Sequence, residues 1–391
     1  MLDHSAKSYG RNREVEAIYK WFNDGRDISM PGPRRLGKTF VLDRLVDNGP
    51  KKGWHAVKIE LAGCTDTRTV FRRLCEAIGR NRTGGANAIS WFKQRLGQVL
   101  TPRGDQGGAW YQPLLSLDHE TWFERLVRAM DEDKERRWAL LIDELPIFLK
   151  ALHDRGPEGV LQALAFMNLL NQLRDKYPRV RWLITGSIGI EPLARAGNYL
   201  GALAKFTVFE LDTLSIDEAK SYVQDLAAMG RLSARSRITD AEAAALVEAT
   251  GWRTAYYLDA VAQKMSGSPT ASAEEAQAAV EQAVQKLLQP VQGATFGTWE
   301  EHIQKHYPDP DRGIAFDILN TLAPSPQSLR IDAMLTIIGR SDLTHAKLRA
   351  VASRLHTEGF VTLSDWEGAD PTCAFRNPLL RRWWQRFPHA N

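Results

Sequence analysis

Cysteine is scarce in this 391-residue chain, which carries only three, at Cys64, Cys75 and Cys373. Their scattered positions fit neither a disulfide framework nor a zinc site, so we expect free thiols in a reducing compartment. No apolar run approaches the roughly 18 residues of a membrane-spanning helix. The first residues also lack the basic and apolar segments of a secretion signal. We therefore expect a cytoplasmic protein with no membrane partner.

The chain also lacks a strong excess of either charge. Its formal net charge is +4, with 25% charged and 43% apolar residues. These values are ordinary for a globular protein and point only weakly to nucleic acid. The length suits two or three domains.

One segment carries a specific phosphate-binding pattern, G-x-x-x-x-G-K-[ST]. Its backbone N–H groups and lysine surround the phosphates of a nucleotide, and its hydroxyl reaches Mg²⁺. A short strand candidate precedes the pattern and a helical stripe follows it, which aims a helix N-terminus at the phosphates. The predicted nucleotide-binding residues in this segment are Gly32, Pro33, Arg34, Arg35, Leu36, Gly37, Lys38 and Thr39. The two arginines are expected to add positive charge beside the anion.

A second motif completes the chemistry that such a loop needs. The apolar run 138–142 suits a strand buried on both faces, and it ends in Asp143 and Glu144. Asp143, with Thr39, would hold Mg²⁺, and Glu144 would orient and deprotonate the attacking water. A solvated strand end is the alternative for the acidic pair taken alone. The next strand closes with Thr185 and Ser187, which are either a simple turn or sensors of the γ-phosphate.

Strands alternate with helices up to about residue 212, which predicts a doubly wound parallel α/β sheet. Helices dominate afterwards. Three helices and a hairpin from Gly313 have the pattern of a winged helix-turn-helix. Residues 330–391 hold nine Lys and Arg against six Asp and Glu. Candidate contacts to duplex DNA are Lys347, Arg349 and Arg354, and a protein-contact or packing role is the alternative.

These motifs, in this order, resemble the archaeal-type P-loop ATPases, an AAA+/STAND-related family, in its MNS-like clade. The resemblance rests on Tyr9-Gly-Arg-Asn-Arg-Glu, the P-loop, Leu140-Leu-Ile-Asp-Glu-Leu, Ile184-Thr-Gly-Ser and the ending Phe375-Arg-Asn-Pro-Leu-Leu-Arg-Arg-Trp-Trp. The stretch Gly251-Trp-Arg-Thr-Ala-Tyr-Tyr-Leu is similar to the family's lid signature but lacks its proline.

The resemblance implies an ASCE-type sheet in which the Thr185 strand lies between the P-loop strand and the Asp143 strand. It implies that Tyr9 packs near the adenine and that a lid closes over the nucleotide. Arg253, in that lid, could reach the phosphates or cap a helix. The family's arginine finger is missing, and Lys205 or Arg195 could replace it in a neighbouring subunit. The implied domains are a P-loop ATPase core (1–212), a helical lid (213–268), a helical linker (269–312) and a winged-helix domain (313–391).

The leading hypothesis is an Mg²⁺-dependent ATPase that couples ATP hydrolysis to oligomerisation or to engagement of a protein or DNA partner. One alternative is a nucleotide-gated scaffold with negligible hydrolysis. The other is a DNA-directed ATPase serving replication initiation, mobile-element or defence functions. A small-molecule kinase fits less well, because the acidic pair and the C-terminal module suit hydrolysis.

Overall fold

The computed structural model describes residues 11–80, 119–232, 234–365, 368 and 371–387. Within them the chain forms two compact units. The first comprises Arg11–Gly32 and Lys38–Leu211. The second comprises Pro33–Gly37 and the chain from Asp212 onward. The tip of the P-loop therefore belongs to a different unit from the strand and the helix that flank it.

The first unit is a parallel five-stranded sheet flanked by helices. Its strands are β1 (Ile28–Pro31), β2 (Trp54–Glu60), β3 (Arg137–Asp143), β4 (Arg181–Gly186) and β5 (Thr207–Val208). Its helices are α1 (Asn12–Asn23), α2 (Lys38–Asn48), α3 (Thr67–Arg80), α4 (His119–Glu132), α5 (Leu145–His153), α6 (Pro157–Lys176), α7 (Ile190–Ala196) and α8 (Leu200–Leu203). The strand order is β2-β3-β4-β1-β5.

This order confirms the predicted fold class and the position of the Thr185 strand, β4, between β1 and β3. The central strands are buried on both faces, as their apolar runs predict. Parallel register places Glu60 opposite Asp143 and Met30 opposite Thr185. The carboxyl ends of β1, β3 and β4 thus meet at one edge of the sheet, where α/β proteins bind their ligands.

The second unit is mostly helical. From Asp212 onward its helices are α9 (Ile216–Asp225), α10 (Asp240–Thr250), α11 (Ala255–Ala262), α12 (Ala273–Leu287), α13 (Ala294–His306), α14 (Asp311–Leu322), α15 (Ile331–Ile338), α16 (His345–Thr357) and α17 (Pro378–Arg386). Three short strands, β6 (Leu329–Arg330), β7 (Val361–Ser364) and β8 (Thr372–Phe375), form an antiparallel sheet of order β6-β8-β7. The sequence of α14, α15, α16 and a hairpin is the predicted arrangement of three helices and two strands.

Aromatic residues fill the interior of the second unit. Tyr257 stacks on Phe296 with ring centroids 5.9 Å apart, and Phe296 stacks on Trp383 at 5.9 Å. Trp299 meets Phe360 edge to face at 4.8 Å. Such ring pairs add to the stabilisation from burial. The buried tryptophans Trp252, Trp299, Trp383 and Trp384 thus act in packing.

The structure differs from the sequence prediction in several element boundaries. The last strand of the first sheet has only two residues, whereas the pattern at 206–211 predicted six. The helices α5 and α7, which follow the acidic pair and the Thr-Gly-Ser end of β4, were not predicted. None of the described helices is both long and apolar enough to cross a membrane.

Candidate functional site

The P-loop follows β1 and leads into α2. Gly32 and Gly37 have φ values of 150° and 99°. Residues with a Cβ atom rarely adopt such values, so the backbone of the loop needs both glycines of the motif. The Lys38 side chain is buried, and its ammonium donates to the Gly32 carbonyl at 2.5 Å. The lysine thus folds back over the start of the loop, where the motif places a nucleotide's phosphates.

Asp143 lies at the end of β3 with two hydroxyl groups on its carboxylate. Thr39 donates to one oxygen at 2.9 Å, and Thr185 donates to the other. Asp143 is 1% exposed. Hydroxyl and carboxylate oxygens are the hard donors that Mg²⁺ prefers, and Mg²⁺ sites use one or two such groups together with phosphate oxygens. Thr39 and Asp143 therefore fit a magnesium ion.

Thr185 was predicted as a sensor of the γ-phosphate. That role stays a prediction, and in this structure its hydroxyl donates to Asp143. Thr185 bonds to one carboxylate oxygen of Asp143, and the other oxygen accepts from Thr39. Thr185 therefore orients the carboxylate toward Thr39.

Glu144 follows Asp143 in a left-handed backbone conformation, with φ of 56°. This conformation costs free energy in any residue other than glycine, and such strained residues are concentrated at functional positions. One carboxylate oxygen accepts from the Ser187 backbone N–H at 3.0 Å and from its hydroxyl at 2.9 Å. Ser187 is 3% exposed. The predicted base and the predicted sensor are thus in direct contact.

Gly186 makes this contact possible. A Cβ atom on Gly186 would lie 2.4 Å from the ring carbons of Pro146, near the start of α5. Only glycine lets β4 end this close to α5, and the close approach brings Ser187 to Glu144. The Thr-Gly-Ser pattern therefore has a packing reason as well as a chemical one.

Arg34 and Arg35, at the tip of the P-loop, bond within the second unit. Arg35 donates to the Tyr257 hydroxyl at 2.9 Å, to the Thr298 hydroxyl at 2.7 Å and to the Thr295 carbonyl. Its guanidinium lies 4.0 Å from the centroid of the Tyr256 ring. Arg34 reaches the Thr298 carbonyl at 3.4 Å. We expected both arginines to add charge beside the phosphates, but Arg35 is occupied by protein partners.

The remaining lid and finger candidates have different surroundings. Arg253 donates from Nε to the Leu214 carbonyl at 2.8 Å, and its predicted contact with phosphate stays a prediction. Lys205 pairs with Asp175 at 2.5 Å on the surface. Arg195 is exposed near the end of α7. Tyr9, the predicted adenine contact, lies outside the described residues.

The candidate DNA-contacting residues belong to α16. Lys347 pairs with Asp311 at 2.5 Å. Arg349 is partly exposed. Arg354 donates to Glu358 at 3.0 Å and to the His306 carbonyl at 2.8 Å, and it stacks on Tyr307. Arg354 thus serves internal packing, which leaves Lys347 and Arg349 as the surface cations of the candidate set.

Sequence reasoning missed the contacts of Tyr257, Thr295 and Thr298. Tyr257 stands in the lid-like signature, but nothing in that pattern shows that its hydroxyl accepts from the P-loop. The two threonines belong to α13, which carries no motif. Burial raises the pKa of Tyr257 despite the nearby Arg35, so the phenol stays protonated.

The P-loop after β1, the acidic pair after β3 and the inserted strand β4 define an AAA+-type P-loop NTPase fold. No family model and no curated protein sequence matches the chain. Solved structures of other proteins are similar to it. A Walker-type ATPase of Pyrococcus abyssi, PABY2304, gives a TM-score of 0.63 at 14% identity over 96% of this chain and 95% of that one. The ORC2 protein of Aeropyrum pernix, solved in ADPNP–ADP complexes, gives 0.54 at 12% identity over 98% and 96%. At these identities the likeness shows the fold.

Proposed function

We propose that this protein binds ATP with Mg²⁺ at Gly32–Thr39 and hydrolyses it as a nucleotide-dependent switch. The contact between Thr39 and Asp143 at 2.9 Å, with Glu144 next in the chain, carries the proposal. This hydrogen bond joins the hydroxyl of the P-loop to the acidic end of β3. The two motifs must lie this close together if they are to bind the same metal ion. The similarity of the fold to that of the Walker-type ATPase and to that of ORC2, which was solved in ADPNP–ADP complexes, supports the proposal.

In the proposed reaction, Lys38 binds the β- and γ-phosphate oxygens, and Thr39 and Asp143 hold the metal. Bound Mg²⁺ would neutralise the charge that develops on the phosphates. Glu144 accepts a proton from water as the water oxygen bonds to the γ-phosphorus. The bond from that phosphorus to the bridging oxygen breaks, and ADP leaves. Ser187 orients Glu144 through the two hydrogen bonds that it donates.

Lys38→Ala tests the proposal directly. Wild type should bind ATP with Mg²⁺, and the variant should lose that binding. Turnover should follow the same dependence on Lys38. Equal ATP binding by the two proteins would contradict the proposed site.

Oligomerisation is part of this proposal, because the chain lacks the expected arginine before β5. Lys205 and Arg195 are the proposed trans fingers, and Arg195 is the stronger because Lys205 is paired with Asp175. Turnover per molecule should rise with protein concentration, and Arg195→Ala should remove that rise. A turnover independent of concentration would instead favour a site completed within one chain. Absence of turnover beside intact ATP binding would favour the nucleotide-gated scaffold.

A DNA-directed ATPase is the second candidate, and α16 is the observation that favours it. Lys347 and Arg349 lie on the helix that precedes the hairpin of the proposed winged helix. Duplex DNA should bind in a salt-dependent manner and stimulate turnover. No binding even at low salt would remove this candidate, and a protein partner would then be the proposed ligand of the module. Turnover and binding measured in the presence of candidate partner proteins would test the proposed mobile-element and defence functions.

A further inference from the structure

The tip of the P-loop is held by side chains that the motif does not contain. Arg35 bonds to Tyr257 in α11 and to Thr295 and Thr298 in α13. We call this set the Arg35 clamp. It comprises one charged donor and three neutral acceptors on two helices. A guanidinium suits this task because its donors have a fixed planar geometry.

The acceptors of the clamp are themselves held in place. Tyr257 is fully buried, and its hydroxyl also accepts from the Trp299 indole at 2.6 Å. Trp299 lies on α13 beside Thr298. The clamp therefore joins the loop to a packed core, where side chains have few alternative positions.

The backbone at the tip depends on this anchorage. Arg35 has a φ of 68°, in the left-handed region that L-residues rarely occupy. Such a conformation persists only where its surroundings determine it. A second contact acts on the same segment, because a Cβ on Gly359 would lie 2.0 Å from that of Pro33. The tip is thus packed on the second unit at two places.

From these contacts we infer that Arg35 is a positioning residue for nucleotide binding, which acts through α11 and α13 rather than on the phosphates. The inference rests on the proposed function. Phosphates bind to the N–H groups of the loop, so a loop already held in one conformation loses less entropy on binding. The clamp makes the affinity for nucleotide depend on α13, a helix outside the ATPase motifs.

The test is a binding titration of the full-length protein with Mg²⁺ and a fluorescent N-methylanthraniloyl ATP. Arg35→Ala should raise Kd about tenfold, which corresponds to about 1.4 kcal/mol. Thr298→Val keeps the shape of the side chain and removes one acceptor, and it should raise Kd about threefold. Thr336→Val, an exposed threonine on α15, is the matched control and should leave Kd unchanged.

The double variant distinguishes the clamp from a direct phosphate contact. If Arg35 acts through Thr298, Thr298→Val should add nothing once Arg35 is alanine. KM for ATP should rise in each clamp variant, whereas in Thr298→Val, which lies outside the P-loop, kcat at saturating ATP and the urea midpoint without nucleotide should stay near wild type. A general structural role would instead move the urea midpoint.

Three outcomes would overturn the inference. Unchanged Kd in Arg35→Ala would remove the positioning role. A raised Kd in Arg35→Ala beside a silent Thr298→Val would indicate a direct contact with phosphate. If Arg35→Ala does not fold, Thr298→Val decides alone. Wild-type binding that is lost in Lys38→Ala keeps the proposed function standing when the clamp fails, whereas wild type without Lys38-dependent binding removes both.

Discussion

Polar side chains that bond within the protein are used differently in the two units. In the first unit, Asp143 and Glu144 follow one strand and receive hydrogen bonds from short hydroxyl side chains. A carboxylate oxygen can accept more than one hydrogen bond, so this edge of the sheet still has capacity for a ligand. In the second unit, Arg35 and Glu358 each bond to side chains of two different helices. The first arrangement suits chemistry, and the second suits positioning.

The difference predicts which variants affect rate and which affect stability. Changes at the edge of the sheet should alter turnover while the protein stays folded. Changes among the polar groups of the second unit should alter stability or affinity. Variants that break this rule would show that the two arrangements have the same task.

The largest effect is expected for Glu144→Gln. The amide keeps the size of the side chain but cannot accept the proton of water, so turnover should fall by roughly 10²- to 10⁴-fold. Binding of ATP should remain, because the change leaves the P-loop intact. Steady-state phosphate release measures the effect, with the exposed Glu191→Gln on α7 as the control. Turnover that survives Glu144→Gln would show that another group is the base.

Glu358→Gln should give the largest loss of stability. Glu358 is 2% exposed and accepts from His302 at 2.8 Å and from Arg354 at 3.0 Å. Hydrogen bonds to a buried charge stabilise by about 2 kcal/mol, so the free energy of unfolding should fall by that amount. Urea unfolding measures it, and Glu301→Gln on the exposed side of α13 is the control.

The effect of Glu358→Gln should depend on pH. Burial alone would raise the pKa of Glu358, but His302 and Arg354 more than offset it and hold the pKa below the ordinary value. A depressed pKa in the folded state adds stability above the unfolded pKa, and this stability is lost as pH falls through the folded pKa. The difference between wild type and variant should therefore be full at pH 7 and shrink below about pH 4. An equal difference at both pH values would mean that the ionised carboxylate is not the stabilising form.

Ser187→Ala should have a smaller effect than Glu144→Gln. The variant loses the hydroxyl bond to Glu144 but keeps the backbone N–H bond at 3.0 Å. A base with one of its two anchors should still act, so we expect kcat to fall about tenfold with little change in KM. A pre-steady-state measurement of phosphate formation tests this. A loss as large as that of Glu144→Gln would indicate that Ser187 contacts the substrate itself.

The two units also differ in how far their sequences predict them. The P-loop, the acidic pair after β3 and the Thr-Gly-Ser end of β4 are local patterns, and their strands are continuous apolar runs. These features predicted the sheet and, through the family resemblance, the place of β4 between β1 and β3, and they assigned Thr39 and Asp143 to the same metal site. Long-range pairs have no such signal. Arg35 and Thr298 are separated by 263 residues, so no spacing along the chain could indicate that they meet.

The same reasoning explains why the protein contacts of some arginines were not predicted. Arg34 and Arg35 stand in a phosphate-binding motif, and the motif alone favours phosphate as their partner. Arg354 lies off the apolar stripe of α16, which favours solvent, but Tyr307 and Glu358 from neighbouring segments surround it. A helical pattern shows which residues face the nearest core. It does not show which polar residues a third element covers.

The smallest effects are expected for two surface lysines, one in each unit. Lys205 pairs with Asp175 and Lys347 pairs with Asp311, each at 2.5 Å. Exposed ion pairs contribute little to stability because water screens them. Lys205→Met and Lys347→Met should therefore leave the urea midpoint unchanged, in contrast to Glu358→Gln. Lys347→Met should lower affinity for duplex DNA and reduce its salt dependence by about one charge if α16 contacts DNA. Lys205→Met should slow turnover at high protein concentration only if Lys205, rather than Arg195, reaches a neighbouring site. If either lysine variant lowered the urea midpoint as much as Glu358→Gln, surface ion pairs would stabilise the protein as strongly as the buried Glu358. The comparison of the two units would then fail.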